Sequence, residues 1–135
     1  MNALPTTTRK SMKAQAVGYW ICTVLIGLSF LSGGVVDLLR APQALEGMTH
    51  LGYPAYFMTI LGVWKAPGAV VVLLPGFPLL KEWAYAGMIF DLTGASASHV
   101  ASGDVLFHIV TPLVLAGLVI ASWALRPADR KLPPG

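Results

Sequence analysis

Two charged side chains stand near the middle of apolar runs long enough to cross a bilayer. Lys65 is central in the run 55–74, and Asp91 is near the middle of the run 82–103. Two more apolar runs, 16–39 and 105–125, flank these. At 1.5 Å per residue, ~20 residues cover the ~30 Å hydrocarbon core of a membrane, so each run is long enough to span. A charge at that depth costs about 3 kcal/mol or more unless it is paired or wet. Backbone groups in lipid must also bond within the chain, which favours helices. The sequence therefore asks for an all-α fold whose helices bring these polar groups together.

Composition supports this. Hydrophobic residues make up 56% and charged residues 11% of the 135 positions, with a mean hydropathy of +0.70. Soluble domains carry about twice that charged share. A soluble enzyme with one small core is excluded. The length suits one domain. The net charge of +3 is small and concentrated at the two ends, which argues against nucleic acid as a partner. The one cysteine, Cys22, lies inside the first run and reads as an inert packed thiol.

Residues 1–15 read as a frayed cytoplasmic tail with Arg9, Lys10 and Lys13. The first run is too long for a signal-peptide core and lacks a nearby small-x-small site, so it is expected to stay as a span. Ser29, Gly33 and Asp37 recur every four residues, which predicts a small, polar stripe facing other helices. Residues 40–54 form the longest connection; Ala44 to Leu51 within it reads equally as a short interfacial helix or a plain loop. Pro67 follows Lys65 closely and predicts a kink or a local packing adjustment. Residues 75–81 read as a tight turn, Asp104 as the cap of the last span, and residues 126–135 as a disordered cytoplasmic tail.

Orientation follows from basic residues. Arg9, Lys10, Lys13, Lys81, Arg126, Arg130 and Lys131 fall on the side holding both termini, against Arg40 on the other. Four spans with this bias predict an up-down bundle with both termini in the cytoplasm. Tyr19, Trp20, Trp83, Tyr85 and Trp123 lie near span ends, where interface aromatics are expected.

The expected polar cluster has two parts. Lys65 and Asp91 lie at matching depths on antiparallel spans, so an ion pair between them is the simplest way to avoid two lone buried charges. That pair reads evenly as a ligand or proton site and as a register-fixing contact. Asp37, His99 and His108 all fall in the outer half. They suit a proton relay, a polar ligand or plain buried hydrogen bonding. No HxxxH or HxH spacing supports a metal, so none is expected. Ser98 lies nearly in line with Asp91 on the third span.

The runs Leu51-Gly52-Tyr53-Pro54, Gly62-Val63-Trp64-Lys65 and Glu82-Trp83-Ala84-Tyr85-Ala86-Gly87 carry a resemblance, completed by Phe90-Asp91-Leu92-Thr93-Gly94-Ala95 and Ser98-His99. Together they resemble the DoxX-like family of small four-helix membrane proteins, over about residues 16–125. The resemblance implies a four-helix membrane bundle in a bacterial inner membrane. The family name belongs to a subunit of a thiosulfate:quinone oxidoreductase, and some relatives are linked to redox defence. It adds Glu82 to the shared polar positions Lys65, Asp91 and His99, without a role for any of them. The absence of a cysteine pair argues against dithiol chemistry.

The expectation is a redox-associated membrane component that holds a quinone or other small apolar ligand between its helices. No resident cofactor is evident, so electrons would come from a partner subunit. The alternatives are a small proton-coupled transporter, working as a homo-oligomer, and a non-catalytic assembly subunit.

Overall fold

A computed structural model describes residues 4–134; the first three positions of the expected N-terminal tail and Gly135 lie outside the described residues. Five α-helices account for most of them: α1 (Thr6–Leu38), α2 (Pro42–His50), α3 (Ala55–Leu73), α4 (Pro78–Ala101) and α5 (Leu106–Ala124). A 3-10 turn, Ala128–Arg130, follows, and there is no strand among the described residues. Three helices, α1, α3 and α5, are long and apolar enough to cross a membrane. The fourth long helix, α4, has 24 residues and carries Lys81, Glu82 and Asp91.

The first helix starts at Thr6, well before the expected boundary at 16, and runs for 33 residues. Residues 9–15 are mostly good helix formers with no glycine or proline to stop them, so the helix continues into the polar tail. Pro5 precedes it, where a missing N–H costs nothing. The connection 40–54 contains a true helix, α2, rather than a plain loop.

Three helix ends share one chemistry. After α1, α2 and α4 the chain enters the left-handed region at Arg40, Gly52 and Gly103. The next amide then reaches back to a carbonyl in the last turn: Ala41 to Val36 at 3.1 Å, Tyr53 to Met48 at 2.9 Å and Asp104 to His99 at 3.0 Å. These reversals satisfy carbonyls that a helix end leaves open. The third folds Asp104 back over α4. Asp104 is therefore not the cap of α5, which begins after Val105 with no side-chain cap.

The closest pairing is between α1 and α3. A Cβ on Gly34 would lie 2.9 Å from the Ala66 amide nitrogen, and one on Gly62 would lie 2.8 Å from the Gly34 carbonyl oxygen. Only residues without a side chain allow that approach. The expected Ser29–Gly33–Asp37 stripe is corrected here. Ser29 is exposed and Gly33 faces open space, while Thr23, Gly27, Phe30, Gly34 and Asp37 are buried. A strict four-residue step drifts around a 3.6-residue helix; alternating three and four holds one face.

Helices α4 and α5 close the core around Ile26, Phe30, Val72, Met88, Leu92 and Val119. A hydroxyl network stitches it: Thr23 to Ser122 at 2.6 Å and Ser122 to Tyr85 at 2.8 Å. Tyr19 and Tyr85, expected among the interface aromatics, are instead buried in this core, whereas Trp20, Trp83 and Trp123 are exposed.

The C-terminal segment is also ordered against the helices. Arg130 is buried and donates to Tyr19 Oη at 3.1 Å, the Val72 carbonyl at 3.1 Å and the Leu74 carbonyl at 3.2 Å. Lys81, read from the sequence as a topology signal, is buried beside it. Its ammonium donates to the carbonyls of Val71 at 2.7 Å, Gly76 at 2.6 Å and Leu74. Two cations thus cover the open carbonyls at the C-terminus of α3, the negative end of its dipole.

Candidate functional site

Asp37, Lys65 and Asp91 meet in one trio. Lys65 lies ~15 Å into α3, about halfway along it. Its ammonium donates to Asp37 Oδ2 at 3.0 Å and stands 3.8 Å from Asp91 Oδ2. The expected partner, Asp91, is present, but the nearer one is Asp37. The glycine contacts between α1 and α3 explain this, because Gly34 and Gly62 each sit close to the pair on their own helix. Helix α1 ends just past Asp37, beside the middle of α3. The three side chains are mostly buried, at 8% exposure for Asp37, 20% for Lys65 and 21% for Asp91.

Lys65 and Asp91 open onto a cleft of about 770 Å³ between α3 and α4. These two helices pack against each other less closely than either does on its other neighbour. The walls are apolar and aromatic: Phe57, Leu61, Trp64 and Val71 from α3, and Trp83, Met88 and Phe90 from α4. Met48 and Leu51 of the α2 segment cover one end. Gly68, Gly87 and Gly94 leave room, since a Cβ on any of them would meet nothing within 4 Å. Ser98 sits on the rim, where its Oγ lies 2.7 Å from Tyr53 Oη and donates to the Gly94 carbonyl at 2.8 Å.

His99 and His108 do not join Asp37. Their rings stack on each other with centroids 5.5 Å apart, at the end of the molecule that carries α2. The carboxylate that meets His99 is Asp104. It takes a hydrogen bond from His99 Nδ1 at 2.7 Å and another from His50 Nε2 at 2.6 Å. These two bonds hold the Asp104 carboxyl below the usual carboxylate range, the His99 bond having the larger effect. The clamp ties α2 to the α4–α5 connection.

Glu82 stands apart at the opposite end. It accepts from Trp123 Nε1 at 2.9 Å and faces Arg126 at 2.9 Å, tying the start of α4 to the end of α5. It belongs to the scaffold rather than the cleft. Reading the sequence missed Tyr53, His50 and Asp104 as partners. A signal existed for Asp104: Gly103, placed just after an apolar run, marks a reversal that returns the next residue to the helix it left.

Across residues 21–122 the chain matches the model of the DoxX-like family. The chain belongs to the DoxX-like family. The match covers the trio, the cleft and the histidine clamp, and leaves out Arg126 and Arg130. With three helices able to span a bilayer, this DoxX-like chain is a membrane protein. It is similar to the uncharacterized protein YdgD of Bacillus subtilis (strain 168), with 29% identity over 76 residues. That similarity covers 56% of this chain and 66% of the relative, a little short of two thirds of its length. No solved structure matches the chain.

Proposed function

We propose that this DoxX-like protein is a redox-associated component of a bacterial inner membrane that binds a small apolar ligand of the quinone class in the α3–α4 cleft. In this reading α1, α3, α4 and α5 form a four-helix up-down bundle with both termini in the cytoplasm. α4 crosses as the fourth span because Asp91 stands 3.8 Å from the Lys65 ammonium at mid-depth, while Lys81 and Glu82 lie in its first turns.

The observation that carries the reading is the cleft itself. It is large, apolar and aromatic, and Lys65 and Asp91 supply polar groups at mid-depth. That is the usual make-up of a small-molecule site, an apolar body with a few placed polar groups. The family supports a membrane role and leaves the reaction open. Electrons would come from a partner subunit, and the chain's own residues would hold and orient the ligand head.

Gentle purification from native membranes, followed by mass spectrometry of co-purifying small molecules and proteins, tests this. A quinone-class molecule bound in stoichiometric amount is the expected result. A protein free of such ligands, with a melting temperature indifferent to added short-tailed quinone and quinol, would sink it.

A second reading draws on a specific feature. One ammonium faces two carboxylates, so the trio has one unmatched negative charge when all three are ionised. A proton-coupled carrier would use such a site. Proton flux into liposomes that does not change with Asp91→Asn would remove that support.

A further inference from the structure

The trio distinguishes among the ligands that the cleft reading allows, and the inference that follows rests on that reading. Asp91 is the unsatisfied member. Asp37 already receives the Lys65 hydrogen bond at 3.0 Å, whereas Asp91 lies 3.8 Å from the ammonium, too far for a hydrogen bond. No side chain among the described residues donates to either Asp91 oxygen. A mostly buried carboxylate without a donor is costly, and the cost is removed by any group that brings it a proton to share.

Lys65 has the complementary need. Its ammonium has three N–H groups, and one of them is used on Asp37. The hydroxyls on the cleft are already engaged: Ser98 donates to Gly94 and is paired with Tyr53. At the depth of the trio, the cleft therefore presents one free donor side and one free acceptor side, separated by 3.8 Å.

We propose that the cleft takes an apolar molecule headed by a hydroxyl, a quinol or phenol, whose oxygen accepts from Lys65 while its proton is donated to Asp91. A hydroxyl does both jobs at once. A quinone carbonyl does one. It accepts from Lys65 but places its own oxygen against the Asp91 carboxylate, and two acceptors facing each other repel. The same holds for an ether. Trp64, Trp83 and Phe90 supply flat apolar surface for the ring and tail. The reduced form of a quinone couple is therefore the better ligand.

Four probes with one alkyl tail test this: a benzoquinol, its quinone, the corresponding phenol and the phenol's methyl ether. Binding is measured by calorimetry on the purified full-length protein in detergent, without oxygen, with empty micelles subtracted. The phenol is expected to bind about tenfold tighter than its ether, and the quinol about tenfold tighter than the quinone, the scale of one charge-assisted hydrogen bond. In Asp91→Asn both ratios are expected to collapse. Equal affinities in either pair on the native protein would overturn the hydroxyl assignment and leave the cleft as a binding site. A preference that survives Asp91→Asn would overturn the role of Asp91. Failure of all four probes to bind would instead remove the cleft reading itself. Should Asp91→Asn not fold, the phenol–ether pair on the native protein decides alone.

Discussion

The Lys65 ammonium sits 3.0 Å from the Asp37 carboxylate and joins the last turn of α1 to the middle of α3. Removing the cation leaves two carboxylates in a mostly buried site. Lys65→Met is expected to cost about 3 kcal/mol or more, the scale for breaking a buried pair. Adding Asp37→Asn to it should recover part of that loss. Unfolding of the single and double variants in detergent checks both. Additive losses would show that the pair is not coupled.

The α1–α3 contact depends on missing side chains. A Cβ on Gly34 meets the Ala66 backbone at 2.9 Å, and backbone cannot move aside as a flexible side chain can. Gly34→Ala is therefore expected to lower the melting temperature and weaken the Asp37–Lys65 pair. Gly117→Ala, in α5 with nothing within 4 Å of the new carbon, is expected to be neutral or stabilising by up to about 1 kcal/mol. Melting curves of the two variants should separate clearly.

The clamp gives a pH dependence with a definite sign. Asp104 has its carboxyl lowered in the folded state by His99 and His50. Its contribution is present above the unfolded value and is lost as pH falls through the folded one. Stability is thus expected to drop below about pH 4, the ordinary aspartate range, and Asp104→Asn should flatten that part of the profile. Melting temperature against pH for the two proteins is the check.

The C-terminal segment acts as a fastening. Arg130 lies over Trp20 at 4.7 Å as well as bonding Tyr19 and two α3 carbonyls. Arg130→Met leaves the Val72 carbonyl without its side-chain partner and is expected to cost about 2 kcal/mol, as for an unsatisfied buried group. Lys131→Met, at an exposed neighbour, should cost little. Equal stability of the two variants would mean that the fastening contributes nothing.

The helices were legible because long apolar runs and their breakers are local signals. Lys65 and Asp91 were legible as partners because depth along a span follows from residue count. Asp37 was misassigned for a geometric reason: its height depends on where α1 ends relative to α3, and that is set by the Gly34–Gly62 contact, which no spacing within one helix reveals. Lys81 and Arg130 looked like topology charges. Their burial depends on carbonyls at the end of a different helix. The His50–Asp104–His99 clamp stayed hidden because three chain reversals bring those residues together.

The central claim is that the α3–α4 cleft holds a ligand. Gly87 lines it, and a Cβ there meets nothing within 4 Å, so Gly87→Trp starts from open space and adds bulk at the cleft wall. The most direct measurement is the affinity of the native protein and Gly87→Trp for the short-tailed quinol, taken alongside their melting temperatures. The expected result is binding by the native protein and none by a Gly87→Trp variant that melts at the same temperature. Equal binding by the two would contradict the claim.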